Sequence, residues 1–241
     1  MPMRIATMAR SDLDFAIQLA ADEGWNPGLH DAEAFYGADP GGFLVGRLDG
    51  RPIGCIAAIS YRPSFGFIGL YIVVPEFRGR GHGIALWRAG MGRLEGHNIG
   101  LDGVQAQQDN YARSGFRLAY SNLRFEFRNR AESTIVARKT DSDIVDATSI
   151  PAAQLHEYDR ALFPAEREAF LRHWISQPDC SALALVANGR LRGYGAIRAC
   201  RVGYKIGPLF ADDRDVAESL LVALCRRAKE GTSATFPRVS R

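Results

Sequence analysis

The sequence predicts an α/β protein. Each half should be a mixed, mostly antiparallel, twisted sheet flanked by helices, and there should be two such halves in tandem. Three observations carry this expectation. An apolar β-branched run, Ile68 to Val74, stops at Pro75 and is followed by glycines at 79, 81 and 83 and then by a helical pattern. Strand and helix patterns alternate on both sides of that stretch. Beyond a polar joint at residues 129–133 the pattern starts again, and the turn Asp49-Gly50-Arg51 returns as Asn188-Gly189-Arg190.

In chain order, Met3–Met8 reads as a short strand. Ser11 can cap a helix from Asp12 to Ala21, with Leu13, Ile17 and Ala20 on one face. A turn-rich break, Glu23 to Gly28, precedes a short helix at Asp31–Phe35. Phe43–Leu48 and Ile53–Tyr61 read as strands joined at Asp49-Gly50, a hairpin signal that Pro52 is expected to lengthen beyond two residues. Phe65–Val74 is a long strand. Ile84, Trp87, Met91 and Leu94 share a face of the next helix, and Ile99–Val104 is the next strand, parallel to Phe65–Val74 through a right-handed crossover. Gln107–Ser114 is a short helix closed by Gly115, and Phe116–Phe127 is the last strand of the first half.

The second half opens on a strand at Ile135–Lys139 and a helical region at Ala152–Leu162 and Glu166–Ile175. Strands follow at Ser181–Ala187, Leu191–Ala199 and Val202–Phe210, then a helix at Val216–Ala228 with Leu220, Leu221 and Leu224 inward. Only Gly231–Arg241 remains, room for one short strand at Ser233–Phe236. The second sheet is therefore expected to be short at its C-terminus, with an unfinished edge. The expected domains are residues 1–128 and 134–241.

Composition bounds the partners. The 241 residues are 46% hydrophobic and 24% charged, enough for a sizeable core. A net charge of +3, with no Lys/Arg run interleaved with aromatics, argues against nucleic acid. No apolar stretch is long enough to span a membrane, and the first residues lack a signal-peptide core. Cys55, Cys180, Cys200 and Cys225 form no C-x-x-C pair, and the five histidines have no zinc spacing, so reduced thiols, no metal and a cytoplasmic location are expected.

The glycine loop is the functional landmark. Glycines let a backbone approach a ligand, and a helix start offers unpaired N–H groups and a positive dipole end, a setting for a diphosphate. A P-loop is excluded because Gly-Lys-Ser/Thr is absent. A dinucleotide fingerprint needs G-x-G-x-x-G, whereas the spacing here is G-x-G-x-G; Asp102 does follow Gly83 by 19 residues, near the acidic position that fingerprint wants. Val73-Val74-Pro75-Glu76-Phe77-Arg78-Gly79-Arg80-Gly81-His82-Gly83 most closely resembles the acetyl-CoA loop of the GCN5-related N-acetyltransferase (GNAT) superfamily, Arg/Gln-x-x-Gly-x-Gly/Ala after V-x-P. Arg78, Gly81 and Gly83 hold the defining positions, and the order of elements over residues 3–128 is similar to the GNAT order. The second half resembles the degenerate C-terminal domain of two-part GNAT proteins. Its matching loop is Ala211-Asp212-Asp213-Arg214-Asp215, whose acids would repel a diphosphate, so one CoA site is expected.

The resemblance implies an acetyl-CoA-dependent N-acetyltransferase acting on an amine, with a non-catalytic acyl-CoA sensor as the alternative and a monomer or homodimer as the assembly. Ile72, Val73 and Val74 would supply backbone hydrogen bonds to the pantetheine and the oxyanion. Arg78, Gly79, Arg80, Gly81, His82, Gly83 and Ile84 would hold the diphosphate. Tyr111, four residues before Gly115-Phe116, matches the superfamily's Y-x-x-x-G-F and would face the CoA sulfur as the acid. The superfamily's upstream asparagine falls on Val104 and is absent; Asn110 is the substitute candidate. Asp102 is the leading candidate base, with Glu23, His30 and Glu33 behind it. Trp25, Asn26, Tyr61 and Tyr71 are the candidate acceptor-binding residues, since an aromatic cleft suits an amine with an apolar body.

Overall fold

A computed structural model describes residues 2–61, 63–128 and 143–240, with the backbone alone at 237–240. The chain divides into two units. The first comprises Met1–Pro27, Ala32–Leu118 and Pro164–Phe170; the second comprises Gly28–Asp31, Ala119–Phe163 and Leu171–Arg241.

In the first unit, strands β1 (Arg4–Thr7), β2 (Phe43–Leu48), β3 (Arg51–Tyr61), β4 (Phe65–Val73) and β5 (Asn98–Leu101) lie side by side in that order. All neighbours are antiparallel except β4 and β5, which are parallel, as the crossover required. The crossover is helix α3 (His82–Arg93). Helices α1 (Leu13–Asp22) and α2 (Asp31–Ala38) lie between β1 and β2 in the chain, and α4 (Gln108–Arg113) follows β5.

The central strand β3 is buried on both faces, which explains its unbroken apolar run. Cys55, Ala57 and Ile59 face Leu13, Ala16 and Leu19 of α1, whereas Ile56 and Ala58 face Leu86, Trp87 and Leu94 on the α3 side. The segment Pro164–Phe170 adds Phe170 to this unit, its ring stacked on Phe35 at 6.5 Å.

Several local expectations are corrected. Ser11 is not the cap of α1; a 3₁₀ turn at Arg10–Asp12 comes first, and the Asp12 carboxylate accepts from Ala9 N at 3.1 Å. The β2–β3 loop is only two residues, because Asp49 and Gly50 both take positive φ and Leu48 pairs directly with Arg51. The irregularity expected of Pro52 becomes a bulge at Ile53 instead. Ile84 is 49% exposed, so the buried stripe of α3 runs through Leu86, Trp87 and Gly90. Glycine at 90 lets α3 lie close to β3; a methyl group there would lie 2.9 Å from Ile56 Cδ1, which would have to shift.

The second unit repeats the plan. Strands β6 (Ser121–Arg128), β7 (Ile144–Asp146), β8 (Cys180–Ala187), β9 (Arg190–Ala199), β10 (Tyr204–Ala211) and β11 (Ser233–Ser240) form a sheet in the order β6-β11-β10-β9-β8-β7. Helices α5 (Ala152–Arg160) and α6 (Glu168–Ser176) precede β8, and α7 (Arg214–Cys225) follows β10. Leu220 and Leu224 of α7 pack over Leu183, Leu185, Ile197 and Ile206. The β8–β9 hairpin copies β2–β3 closely. Asn188 and Gly189 take positive φ, Ala187 pairs with Arg190, and the ladder shifts between Leu185 and Val186.

The strand expected at the end of the first sheet lies elsewhere. β6 pairs with β11 along eight residues, Ser233↔Arg128 to Ser240↔Ser121, and Phe125 stacks on its partner Phe236 at 5.7 Å. The edge expected to be unfinished is thereby extended, and β11 is longer than the expected Ser233–Phe236. A strand's alternation reveals which face is apolar but not which neighbour it will pair with, so the assignment of β6 to the first half was the natural error. The strand expected at Ile135–Lys139 lies outside the described residues; β7 opens the repeat and pairs with β8 as β1 pairs with β2.

Candidate functional site

The site is organised by an irregularity in β4. Ala57 pairs with Gly69 and Cys55 with Ile72, so Leu70 and Tyr71 of β4 oppose Ile56 alone on β3. Leu70 absorbs the extra length at φ +44, and its carbonyl accepts from Cys55 Sγ at 3.1 Å. On the other edge, the parallel ladder with β5 ends at Ile68↔Leu101. Beyond that point β4 turns the backbone of Val73 to an edge that β5 no longer covers, whereas Ile72, expected to share that role, turns its backbone toward Cys55 of β3 because successive strand residues point to opposite edges. Val74 N itself donates to Ile53 O at 2.9 Å, so this residue is tied toward β3.

After a 3₁₀ turn at Pro75–Phe77 the chain passes through Gly79 (φ +73) and Gly81 (φ +83) into α3. These two glycines are required by backbone conformation, since a β-carbon on either would meet nothing within 4 Å. No side chain caps α3. Ala85 N reaches Gly81 O at 3.2 Å; the N–H groups of His82, Gly83 and Ile84 find no acceptor among the described residues. The equivalent start in the second unit is closed. There Asp213 accepts from Val216 N at 2.9 Å, Arg192 binds Asp212 at 2.6 Å and Asp213 at 3.1 Å, and Tyr158 donates to Asp212 at 2.8 Å. One helix start is open and glycine-lined; the other is filled by its own carboxylate.

The cations around the open loop divide in two. Arg78 donates from Nε to Val73 O at 2.7 Å and pairs with Glu23, just past α1, so its guanidinium fastens the loop to the end of α1. Arg80 lies over the Phe77 ring at 5.9 Å, and no carboxylate among the described residues pairs with it. Arg51 lies over the same ring at 5.3 Å and is 3.9 Å from Glu76. Arg51 and Phe77 were missed by sequence reasoning. Nothing in Asp-Gly-Arg indicates that a hairpin turn 25 residues upstream of Glu76 reaches this loop.

Tyr111 lies on α4 with its ring 5.8 Å from Trp87 and 6.5 Å from Phe116, over Gly103. It is half-buried, and burial raises its phenol above the usual value. Asn110 is exposed; its side chain bonds to Gln107 and Arg113 along the same helix. Asp102 follows the end of β5 and is exposed.

The four candidate acceptor residues do not lie together. Trp25 and Tyr61 pack against the α1 face of the sheet, and Tyr61 stacks on Phe65 at 6.1 Å. Asn26 sits beside Trp25 at φ +48. Tyr71 lies on the opposite face, 5.5 Å from Trp87. Of the lesser base candidates, Glu23 pairs with Arg78 and Glu33 with Arg10, while His30 belongs to the second unit, 3.1 Å from Asp179. Among the described residues no cluster of three or more His, Cys, Asp or Glu could hold a metal, and no helix is long and apolar enough to cross a membrane.

Comparison with known proteins agrees with this arrangement. Residues 11–116 match the acetyltransferase (GNAT) family, and residues 155–237 match an acetyltransferase (GNAT) domain. The chain is 25% identical over 219 residues to a holothin acyltransferase of Pseudoalteromonas sp. (strain SANK 73390), covering 90% of this chain and 72% of that protein. It is 27% identical over 180 residues to an uncharacterised protein of Caenorhabditis elegans, covering 70% of this chain and 57% of that one. The fold is similar to that of a presumed acetyltransferase of Pyrococcus horikoshii (TM-score 0.78, 23% identity, 98% of this chain and 79% of that one). It is also similar to a tandem GNAT protein from the clavulanic acid biosynthesis pathway (TM-score 0.64, 14% identity, 98% and 90%). The chain belongs to the GNAT superfamily of acyltransferases, as a two-part member whose second copy lacks the glycine loop.

Proposed function

We propose that this chain transfers an acetyl group from acetyl-CoA directly to the amine of a small-molecule acceptor, using the first unit as its one donor site. The observation that carries the reading is the uncapped start of α3, reached through two left-handed glycines, beside a β4 edge that β5 has left. Three unmet N–H groups and the helix dipole favour a diphosphate there. The open edge of β4 at Val73 suits the pantetheine amides and the oxyanion of the addition step. Gly79, Arg80, Gly81, His82, Gly83 and Ile84 form the cradle, Arg78 holds it in place, and Asn110 is a further CoA contact in this reading.

An amine with a pKa near about 10 is protonated at neutral pH and must lose a proton before attack. Asp102, directly or through water, is the base that accepts it. The nitrogen then bonds to the thioester carbonyl carbon and gives up its second proton to water, the carbon–sulfur bond breaks, and Tyr111 gives its hydroxyl proton to the departing thiolate and is reprotonated from solvent. Trp25, Asn26 and Tyr61 receive the acceptor on the α1 side of the sheet. A relative named for the acylation of holothin supports a metabolite-sized acceptor over a protein.

Calorimetric titration with acetyl-CoA, followed by thiol release with a panel of amines, tests the reading. One site per chain and release with an amine are expected. Absence of binding overturns the donor site, and binding without release from any amine favours the sensor.

A further inference from the structure

Tyr71 was expected to line the amine site, but its surroundings are those of Tyr111. The two rings flank Trp87, at 5.5 Å and 5.8 Å. Both hydroxyls lack a hydrogen-bond partner among the described residues, and both side chains are half-buried. Burial raises the Tyr71 phenol above its usual value, and the neighbouring Tyr111 raises it further.

Tyr71 follows Leu70, the left-handed residue of the β4 bulge, and so sits where β4 has parted from β5. Its hydroxyl also accounts for the third loop glycine. Gly79 and Gly81 have positive φ; Gly83 does not. A methyl group on Gly83 would instead lie 2.9 Å from Tyr71 Oη, with the next atoms, Val73 Cγ2 and Tyr71 Cζ, at 3.6 and 3.7 Å. The missing side chain at 83 leaves room for a phenol oxygen. A half-buried donor given such room, with no protein acceptor, is poised for a ligand atom.

We propose that Tyr71 is a donor-side positioning residue whose hydroxyl hydrogen-bonds to the phosphopantetheine arm of CoA, between the glycine loop and Tyr111. This rests on the donor-site reading above and assigns Tyr71 to the opposite substrate from the one its sequence position implied. Tyr71 holds the arm along the open edge of β4, so that the thioester reaches Tyr111 in register.

The test is calorimetric binding of CoA itself, with no amine present, to wild type, Tyr71→Phe and Tyr71→Leu, with thermal melts to check folding. Tyr71→Phe keeps the ring on Trp87 and removes only the hydroxyl. It should weaken CoA binding about tenfold, the size of one lost hydrogen bond to a ligand. CoA affinity equal to wild type in Tyr71→Phe overturns the proposal, and a loss confined to Tyr71→Leu would show that the ring only packs. Failure of wild type to bind CoA would overturn the donor site before any variant is compared; the difference between wild type and Tyr71→Phe bears on Tyr71 alone.

Discussion

Gly81 isolates the phosphate loop from the rest of the fold. It is the residue before α3, at φ +83 and ψ −6, and a β-carbon there would meet nothing within 4 Å. Gly81→Ala therefore adds no clash, only the left-handed backbone penalty of about 1–2 kcal/mol. If the loop must keep this conformation to bind, affinity for acetyl-CoA falls about fivefold to thirtyfold. Gly81→Glu carries the same penalty and adds a carboxylate. At roughly 6 Å from a diphosphate charge, with an effective dielectric between about 20 and 80, repulsion adds roughly 1–3 kcal/mol. Together these predict a loss of about thirtyfold to a few thousandfold. The assay is calorimetry on wild type and both variants at low and high salt, with melting temperatures measured alongside. The gap between Ala and Glu should narrow as salt rises, because the carboxylate is exposed. Equal affinities for Gly81→Ala and Gly81→Glu at low salt would mean that no anion lies at this helix start.

Tyr111→Phe should lower turnover by about a hundredfold or more while CoA affinity stays within about twofold, if its hydroxyl protonates the thiolate. Burial raises this phenol above 10.0, so the proton is held through the ordinary tyrosine range, and an alkaline loss of activity due to Tyr111 should begin only above that value. A fall at lower pH that persists in Tyr111→Phe would belong to another group. Gly83→Ala should be poorly tolerated in wild type and well tolerated with Tyr71→Phe, because only the phenol oxygen comes within 3 Å of the added methyl; thermal melts of the two singles and the double check this, and strictly additive losses would refute it. In the second unit, Asp31→Ala removes a buried carboxylate from Arg198, at present 2.6 Å away and itself only 11% exposed in its side chain, and should cost about 3–5 kcal/mol in urea unfolding. A loss below about 1 kcal/mol would show that solvent reaches the guanidinium at little cost.

The elements of both halves were legible because their signals are local. Gly79 and Gly81 can be read from the sequence as glycines near a helix start, and the structure supplies the reason in their positive φ. Asp49-Gly50 and Asn188-Gly189 signal the same tight turn in both halves, and the structure shows the same two-residue loop with a bulge after it. The burial of β3 follows from its continuous apolar run. Ile84 was misread because the helical face was drawn through a residue that abuts the exposed loop.

What depended on long-range contact was not legible. Arg51 reaches Phe77 only because β3 runs beside β4, and the pairing of Arg78 with Glu23 joins residues 55 apart. The same holds for Tyr71. Alternation says that it faces away from Leu70 and Ile72, but the bulge decides which side of the sheet that is, and a bulge has no sequence signature here.

By itself the sequence determined the two-part α/β plan, the family and the single glycine loop, since periodicity, turn chemistry and helix-start chemistry act over a few residues. Tertiary structure decided where the strand at Ser121–Arg128 pairs, which carboxylates are already committed to arginines, and which tyrosines gather round Trp87. Those outcomes depend on competition among distant partners for the same hydrogen bonds and the same buried surface, and only the folded chain resolves it.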